Sequence, residues 1–357
     1  MTPVAVGLAI AVAAFAASVW LTGRVWRYAL HRQLMDVPNA RSSHQVATPR
    51  GGGMAIVIST STALLLASAA GSVSHRHGLA LVAAGLLVAT VGFVDDHGHL
   101  ARRWRILAHI AAAAGVLWAL GGVPPVTALG ARIEPGWIGL ALAMLYIVWL
   151  LNLTNFMDGI DGIAAVEGVT VSLGGVALYA LTAPAGAPWV APLALAAATL
   201  GFLVWNWPPA KIFMGDAGSG FLGLMLAALS LQAAWISAPL LWSWIILLGV
   251  FVVDATVTLI RRLIRGDRIY EAHRLHAYQH AAQRRGGHKP VTIATALINL
   301  FWLLPLSLLV AWDVLDGPTG VFVAYAPLVV LAAWLGAGNP APPASPDSSP
   351  DNSHGPT

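Results

Sequence analysis

The chain has 357 residues, of which 58% are hydrophobic and only 10% are charged, whereas an ordinary soluble domain is about 25% charged. Its mean hydropathy is +0.74 and its formal net charge is +4. This composition excludes a soluble globular enzyme and a disordered regulator, because the apolar residues cannot all fit inside one water-facing core. The chain has no cysteine, which excludes a disulfide scaffold and leaves oxygen or imidazole as the ligands of any metal ion.

Apolar stretches long enough to cross a bilayer follow one another along the chain. They predict an all-α polytopic membrane protein with about eleven transmembrane helices. The predicted spans are roughly residues 4–21, 53–70, 79–94, 105–120, 137–151, 163–181, 189–205, 219–234, 240–259, 291–312 and 321–335. We expect residues 1–336 to form a single transmembrane catalytic domain, and residues 337–357, rich in Pro, Ser, Asp and Asn, to form a disordered tail.

The basic residues predict the orientation of these helices. Seventeen of the nineteen lysines and arginines fall in alternate loops, and only Arg76 and Arg132 fall in the others. Because Lys and Arg accumulate in cytoplasmic loops, we expect a periplasmic N-terminus and a cytoplasmic C-terminus. The loops that carry chemistry then lie on the cytoplasmic side.

Two acidic segments stand at the predicted helix ends on that side. Asp95 and Asp96 close the third span, where the helix dipole disfavours anions and a cation is needed; a solvated helix end beside the following arginines is the plainer alternative. The segment NLTNFMDGIDG places four short polar residues between two spans, Asn152, Asn155, Asp158 and Asp161. These residue types suit Mg²⁺ or the hydrogen bonding of a ribose or base, although Asn and Asp also make turns and helix caps.

A glycine-rich segment, NWPPAKIFMGDAGSG, opens the eighth span. Free backbone N–H groups at a helix N-terminus bind anions, with Asp216 placed to bring a metal ion and Lys211 to add a positive charge. A flexible loop with close helix packing at its glycines is the alternative.

The longest polar stretch before the tail runs over residues 261–290. Three histidines, His273, His276 and His280, fall on one face if the segment is helical. They could ligate a metal ion or, with Arg274, bind phosphate, and a basic patch on anionic lipid is the alternative. Charged residues inside apolar runs, Glu167 and Asp254, are expected to face the protein interior.

Together these features indicate a metal-dependent reaction on a phosphorylated substrate whose partner lies in the bilayer. The rival from another class is a secondary transporter, whose carboxylates should lie near the middle of the membrane rather than at one boundary. A rival among enzymes is a membrane phosphotransferase that uses CDP-linked donors, but the sequence lacks the different Asp-rich pattern expected on one of its helices.

Five motifs occur in one order: the Asp95–Asp96 pair, NxxNxxDGxDG, NxxPAKIFMGDxGS, an Asp followed by two arginines, and the His-rich loop. In this combination the chain resembles the bacterial polyprenyl-phosphate N-acetylhexosamine-1-phosphate transferases, over about residues 36–289. The resemblance implies transfer of a sugar 1-phosphate from a UDP-N-acetylhexosamine to undecaprenyl phosphate, with release of UMP. The implied cofactor is Mg²⁺, with Mn²⁺ as the alternative ion.

Finer features are similar to one branch of that family. Eleven spans with the N-terminus outside are similar to the branch that initiates O-antigen or related cell-envelope polymers. The loop HRLHAYQ departs from the HxHH form of other branches and looks more like members that use a 6-deoxy sugar, UDP-FucNAc or UDP-QuiNAc, with UDP-GlcNAc left open. The peptidoglycan pentapeptide branch is disfavoured for the same reason.

The resemblance also implies roles for individual residues. Asp216 resembles the principal metal ligand, with Asp95 as a second one that also takes or orients the proton of the lipid phosphate. Asp96 would lie near the phosphates, Asp158 in the same cleft, and Phe213 would stack on the uracil. Further implied contacts to the substrate are Asn152, Asn155, Asp161, Asn206 and Lys211 around the donor, and His273, Arg274 and His276 on the diphosphate.

Two reaction courses fit the sequence, direct attack by the lipid phosphate and double displacement through an Asp. We favour direct attack because it needs no covalent step with a weak carboxylate nucleophile. The implied location is the bacterial inner membrane, with the site on its cytoplasmic face. The implied partners are the UDP-sugar, undecaprenyl phosphate and the bilayer, with no nucleic acid, and the chain could act as a homodimer.

Overall fold

The computed structural model describes residues 2–38, 46–98, 100–184, 186–267 and 274–340. Nearly all of the regular structure is helical. The helices are α1 (Pro3–His31), α2 (Met54–Ala69), α3 (His75–His97), α4 (Arg102–Leu120), α5 (Gly136–Met157), α6 (Ile163–Thr182), α7 (Val190–Asn206), α8 (Asp216–Ala234), α9 (Ala238–Leu247), α10 (Gly249–Arg265), α11 (Ala277–Arg284), α12 (His288–Ile298), α13 (Leu304–Ala311) and α14 (Gly317–Leu335). A π-helical turn, Asn299–Leu303, joins α12 to α13.

The strands are short and form two antiparallel pairs. Strand β1 (Met35–Asp36) pairs with β2 (Thr48–Pro49), and β3 (Val126–Ala128) pairs with β4 (Ala131–Ile133). The first pair lies on the side of the candidate site, because Arg50, the residue after β2, bridges to Phe213.

Each predicted apolar stretch lies mainly on one helix or on consecutive helices. By length and apolar composition, seven helices in the described part of the chain can cross a membrane, or eight if α9 and α10 form one span. Helices α2 and α7 are apolar but shorter. The protein is therefore an all-α polytopic membrane protein, while the count of eleven spans and their orientation stay predictions.

The predicted span over residues 240–259 is divided in two. Helices α9 and α10 meet at an angle of 69°, so the expectation of one continuous helix is wrong. The hydroxyl of Tyr325 donates a hydrogen bond to the Ile245 carbonyl just before the break. A polar side chain from α14 thus satisfies backbone that the break would otherwise expose inside the bundle.

Glu167 faces the interior of the protein, as predicted for a charged residue inside an apolar run. Its side chain is fully buried on α6, and its Oε2 accepts a hydrogen bond of 2.7 Å from Asn299 Nδ2 in the π-helical turn. A buried carboxyl group in apolar surroundings requires such a partner.

Helix α8 lies at the centre of the bundle, and every residue from Ala217 to Ala234 is buried. Small residues allow its neighbours to approach closely. A Cβ on Gly92 of α3 would lie 2.5 Å from the Ala217 nitrogen, and one on Gly218 would lie 2.5 Å from Gly53 Cα. These contacts bring the end of α3 and the start of α2 against the start of α8.

The boundary of the predicted tail differs from expectation. Residues 337–340 are among those described, and Ala337 is fully buried against its neighbours. Residues 341–357 lie outside the described residues, so the disorder expected there stays a prediction.

Candidate active site

Three helix ends bring acidic residues together at the start of α8. The backbone N–H of Asp216 donates a hydrogen bond to Asp96 Oδ2 at 3.1 Å. On the other side, Asn155 Nδ2 donates to Asp216 Oδ1 at 2.9 Å and to Ser219 Oγ at 2.9 Å. The N-terminus of α8, which was predicted to bind an anion, therefore binds the Asp96 carboxylate of the chain itself.

Two arginines compensate the Asp95–Asp96 pair. Arg105 Nη1 lies 2.6 Å from Asp95 Oδ2, and the Leu100 N–H donates to Asp95 Oδ1 at 3.2 Å. Arg50 approaches Asp96 from the loop before α2, with 3.7 Å between Nη1 and Oδ1. Both oxygens of Asp95 are thus occupied, and Asp96 is the member of the pair that lies against Asp216.

Asp158 ends α5 beside these groups. Burial, together with the nearby carboxylates of Asp216, Asp96 and Asp161, raises the pKa of Asp158 well above its usual range. Tyr278 fixes this turn, since its hydroxyl donates to the Phe156 carbonyl at 3.1 Å. The turn therefore holds a carboxyl group that needs either a proton or a cation beside it.

A cavity of about 800 Å³, the polar cavity, carries several charged and amide side chains on a wall that is otherwise apolar, and Asp161 is the one acidic residue among the described residues that line it. Three residues predicted at the substrate line it, Asp161, Phe213 and Arg274, and so do Gln279, His288 and Lys289. Asp161 Oδ2 accepts a hydrogen bond of 3.0 Å from the Ala210 N–H, and its Oδ1 lies 3.1 Å from His288 Nδ1. Asp161 thereby joins the α5–α6 turn, the loop before α8 and the start of α12 around one wall of the cavity.

Comparison with known proteins shows the family of the chain. Residues 78–234, which run from α3 to the end of α8, match the family model described as glycosyl transferase family 4. A probable undecaprenyl-phosphate N-acetylglucosaminyl 1-phosphate transferase of Bacillus subtilis (strain 168) is 34% identical over 271 residues, 72% of this chain and 74% of that protein. The chain belongs to glycosyl transferase family 4.

The names of other relatives of this family 4 chain indicate related substrates. A decaprenyl-phosphate N-acetylglucosaminephosphotransferase of Mycobacterium tuberculosis (strain ATCC 25618 / H37Rv) is 30% identical over 308 residues, 76% of this chain and 74% of that protein. A phospho-N-acetylmuramoyl-pentapeptide-transferase of Halalkalibacterium halodurans is 33% identical over 257 residues, 66% of this chain and 76% of that protein. The family resemblance is confirmed, whereas the O-antigen branch stays a prediction.

The donor set of this family 4 chain fits Mg²⁺ bound through few protein ligands. The five carboxyl groups of Asp95, Asp96, Asp158, Asp161 and Asp216 outnumber the two arginines and one histidine that contact them, and a cation would favour their ionised forms. Among the residues that the structure describes, no group of three or more acidic or imidazole side chains could by itself hold a metal ion. Mg²⁺ commonly takes one or two carboxylates and completes its shell with water and substrate phosphate.

A second buried acidic residue organises the His-containing loop. Asp254 on α10 accepts backbone hydrogen bonds of 2.9 Å from both Ala277 and Tyr278, and lies 3.2 Å from His276 Nδ1. The carboxylate thus caps the N-terminus of α11, where the helix dipole favours an anion. As predicted, Asp254 faces the protein interior.

The structure does not show the single helical face that was predicted for the three histidines. His276 is the N-cap residue of α11 rather than part of a longer helix, and its side chain is buried against Asp254. His280 lies one turn further on, where burial lowers its pKa. His273 lies outside the described residues, so its role stays a prediction.

Several other predicted substrate residues make contacts within the protein. Asn206 is buried, where Oδ1 accepts from the Gly162 N–H at 3.0 Å and Nδ2 donates to the Ile212 carbonyl at 2.9 Å. Asn152 donates to the Val148 carbonyl at 2.7 Å. Lys211 Nζ lies 5.5 Å from the centroid of the Trp205 ring and is not among the residues that line the cavity. These residues shape the loops around the cavity.

The sequence did not single out Arg50, Tyr278, Gln279, His288 or Lys289. The last four lie in the polar stretch 261–290, whose length and position before an apolar span were the only available signals. Arg50 follows β2 and approaches Asp96 only through the tertiary fold, so no local pattern could indicate it.

An apolar groove of about 440 Å³ runs between α10, α11, α12 and α14. Arg284 and Arg285 stand among its lining residues, as do Asp254 and Tyr278. Helix α11 lies between the groove and the polar cavity. Its Gln279 lines the cavity and its Tyr278 lines the groove. Pro290 borders both spaces.

Proposed function

We propose that this family 4 transferase moves an N-acetylhexosamine 1-phosphate from a UDP-sugar to undecaprenyl phosphate and releases UMP. The observation that carries the proposal is the cluster of Asp96, Asp158 and Asp216 at one end of a membrane bundle, beside a polar cavity and near an apolar groove. Such a site can receive a water-soluble phosphorylated donor and a membrane lipid together. The names of the relatives support the same reaction class.

The cavity supplies groups suited to a nucleotide diphosphate. Phe213 offers an aromatic face for the uracil, and Arg274 and Lys289 offset negative charge on the diphosphate. The prenyl chain would occupy the apolar groove, with Arg284 or Arg285 near its phosphate. Asp96 and Asp216 would hold the Mg²⁺, with Asp95 as the alternative second ligand, and this ion offsets phosphate charge during transfer.

In the proposed step, an oxygen of the lipid phosphate attacks the phosphorus that carries the sugar. A new P–O bond forms, the P–O bond to UMP breaks, and UMP leaves with the electron pair. Direct attack is favoured over double displacement because Asp95 has both oxygens engaged and Asp158, with its raised pKa, holds a proton more readily than an ordinary Asp. Neither arrangement makes a good carboxylate nucleophile.

We further propose that the product initiates O-antigen or a related cell-envelope polymer, and that the site faces the cytoplasm. The orientation rests on the loop distribution of Lys and Arg. The orientation can be tested with single-cysteine variants, because the chain itself has no cysteine. One variant replaces Gln283, beside the cavity, and the other replaces Leu129, in the β3–β4 hairpin at the other end of the bundle. A membrane-impermeant thiol reagent added to intact spheroplasts should label Leu129→Cys and spare Gln283→Cys, and the reverse pattern would overturn the orientation.

The direct test of the reaction measures UMP released by purified protein given Mg²⁺ and undecaprenyl phosphate. UDP-GlcNAc, UDP-GalNAc, UDP-FucNAc and UDP-QuiNAc are supplied in parallel, each with and without EDTA. We expect UMP release that requires both metal and lipid, with the fastest donor naming the sugar. Full release in EDTA would remove the metal from the proposal, and folded protein that neither turns over nor binds any UDP-sugar would favour the transporter.

A further inference from the structure

The chain turns back onto the candidate site after α14 ends. Gly336 adopts the left-handed conformation with φ of 88° and terminates the helix. The next residues pack against α10, and Ala337 is fully buried. The N–H of Gly338 then donates a hydrogen bond of 2.6 Å to the carbonyl of Leu275. The contact joins residues that are far apart in sequence.

Two arginines of α10 hold this turn from the other side. Arg261 Nη1 donates to the Ala337 carbonyl at 2.8 Å, and Arg265 Nη1 donates to the Gly338 carbonyl at 2.6 Å. Both hydrogen bonds are charge-assisted, which makes them stronger than bonds between neutral groups. Ala337 and Gly338 are therefore fixed on α10, the helix that also carries Asp254.

Glycine is required at position 338. Its φ is +78°, in the region that L side chains rarely adopt, and a Cβ there would lie 2.7 Å from Arg261 Cβ and 3.2 Å from the Thr258 carbonyl oxygen. A larger residue would move the backbone N–H away from Leu275, because neither neighbour is a flexible side-chain end.

Leu275 lies between two residues of the candidate site. Arg274 lines the polar cavity, and His276 is bound to Asp254. The Gly338 hydrogen bond fixes the backbone on one side of His276, and the Asp254 carboxylate fixes its ring on the other. Both anchors rest on α10, so the segment 274–276 is held to one rigid element.

We propose that Ala337 and Gly338 form a latch that positions Arg274 and His276 for sugar-phosphate transfer. This inference rests on the proposed function, and it makes Gly338 a positioning residue that acts through the backbone of Leu275. Small displacements of positioning groups can lower turnover by up to about a hundredfold. If Ala337 and Gly338 served only to end α14, substitutions there would lower stability without lowering turnover.

The test uses Gly338→Ala and Gly338→Val in the full chain. The matched control is Gly71→Ala, which introduces a similar backbone strain, at φ of +72°, where nothing lies within 4 Å of the new Cβ. We expect kcat/KM for the UDP-sugar to fall at least about tenfold in Gly338→Ala and further in Gly338→Val, and to stay at the wild-type value in Gly71→Ala, with Tm measured for each variant to show that it is folded at the assay temperature. Wild-type kcat/KM in both Gly338 variants would overturn the latch.

A second measurement is independent of turnover. Hydrogen–deuterium exchange of the amides in residues 274–284 should accelerate in Gly338→Ala and stay at the wild-type rate in Gly71→Ala. Unchanged exchange in the Gly338 variants would refute the latch even if the wild-type protein releases no UMP from any donor. Absence of UMP release from wild-type protein, in contrast, would count against the proposed function.

Discussion

Asp161 and His288 meet at the wall of the polar cavity, 3.1 Å apart between Oδ1 and Nδ1, although 127 positions separate them in the chain. The Thr292 hydroxyl also donates to the Asp161 carbonyl at 2.8 Å. Together these contacts attach the first turn of α12 to the turn between α5 and α6. One wall of the cavity is therefore formed where the α5–α6 turn meets α12.

The Asp161–His288 contact should appear as an energetic coupling. We expect Asp161→Asn and His288→Ala each to lower kcat/KM for the UDP-sugar, and the double variant to lose less than the sum of the two effects. Coupling energies of residues in contact are about 0.5–3 kcal/mol. A double-mutant cycle on kcat/KM checks this, and strictly additive effects would mean that the two side chains act separately.

Asp216→Asn should abolish transfer while the protein stays folded. The substitution keeps the size of the side chain but removes half of the charge that the Asp96–Asp216 pair offers to a cation. UMP release and Tm are measured for this variant and for Asp313→Asn, the same change in the α13–α14 turn. Near-native turnover in Asp216→Asn would remove this residue from the metal site.

Phe213→Ala should raise KM for the UDP-sugar more than it lowers kcat. The lost aromatic face costs stacking energy of about 1–3 kcal/mol per base, which corresponds to a rise in KM of roughly 5- to 160-fold. Phe322→Ala, at an exposed position of α14, is the control and should leave KM at the wild-type value. An unchanged KM in Phe213→Ala would place the base elsewhere.

Asp254→Asn should destabilise the start of α11 and slow transfer. Each oxygen of Asp254 accepts one of the N–H groups of Ala277 and Tyr278, so the NH₂ group of Asn would face one of these donors, and leaving a buried donor unpaired costs about 1–3 kcal/mol. Thr258→Val removes only a hydroxyl that donates to Asp254 Oδ1 at 3.2 Å, so its effect on Tm and kcat should be smaller. Equal effects in the two variants would show that the carboxylate does not act as the helix cap.

The sequence predicted the helical membrane fold because hydrophobic stretches of bilayer length are a local property of the chain. It also predicted that Asp96, Asp158 and Asp216 would matter, since short acidic residues at helix ends beside a bilayer are costly without a function. The break between α9 and α10 was not predicted, because residues 240–253 form one largely apolar run and the Tyr325 hydroxyl that binds the backbone beside the break comes from another helix.

The contacts within the candidate site were decided by tertiary structure alone. Sequence spacing could not distinguish Asp95, which pairs with Arg105, from Asp96, which lies against Asp216. Nor could it show that His276 binds Asp254, or that Gly338 reaches Leu275. Those contacts join residues that are distant in the chain, and which side chain faces which partner is fixed only when the helices pack around α8.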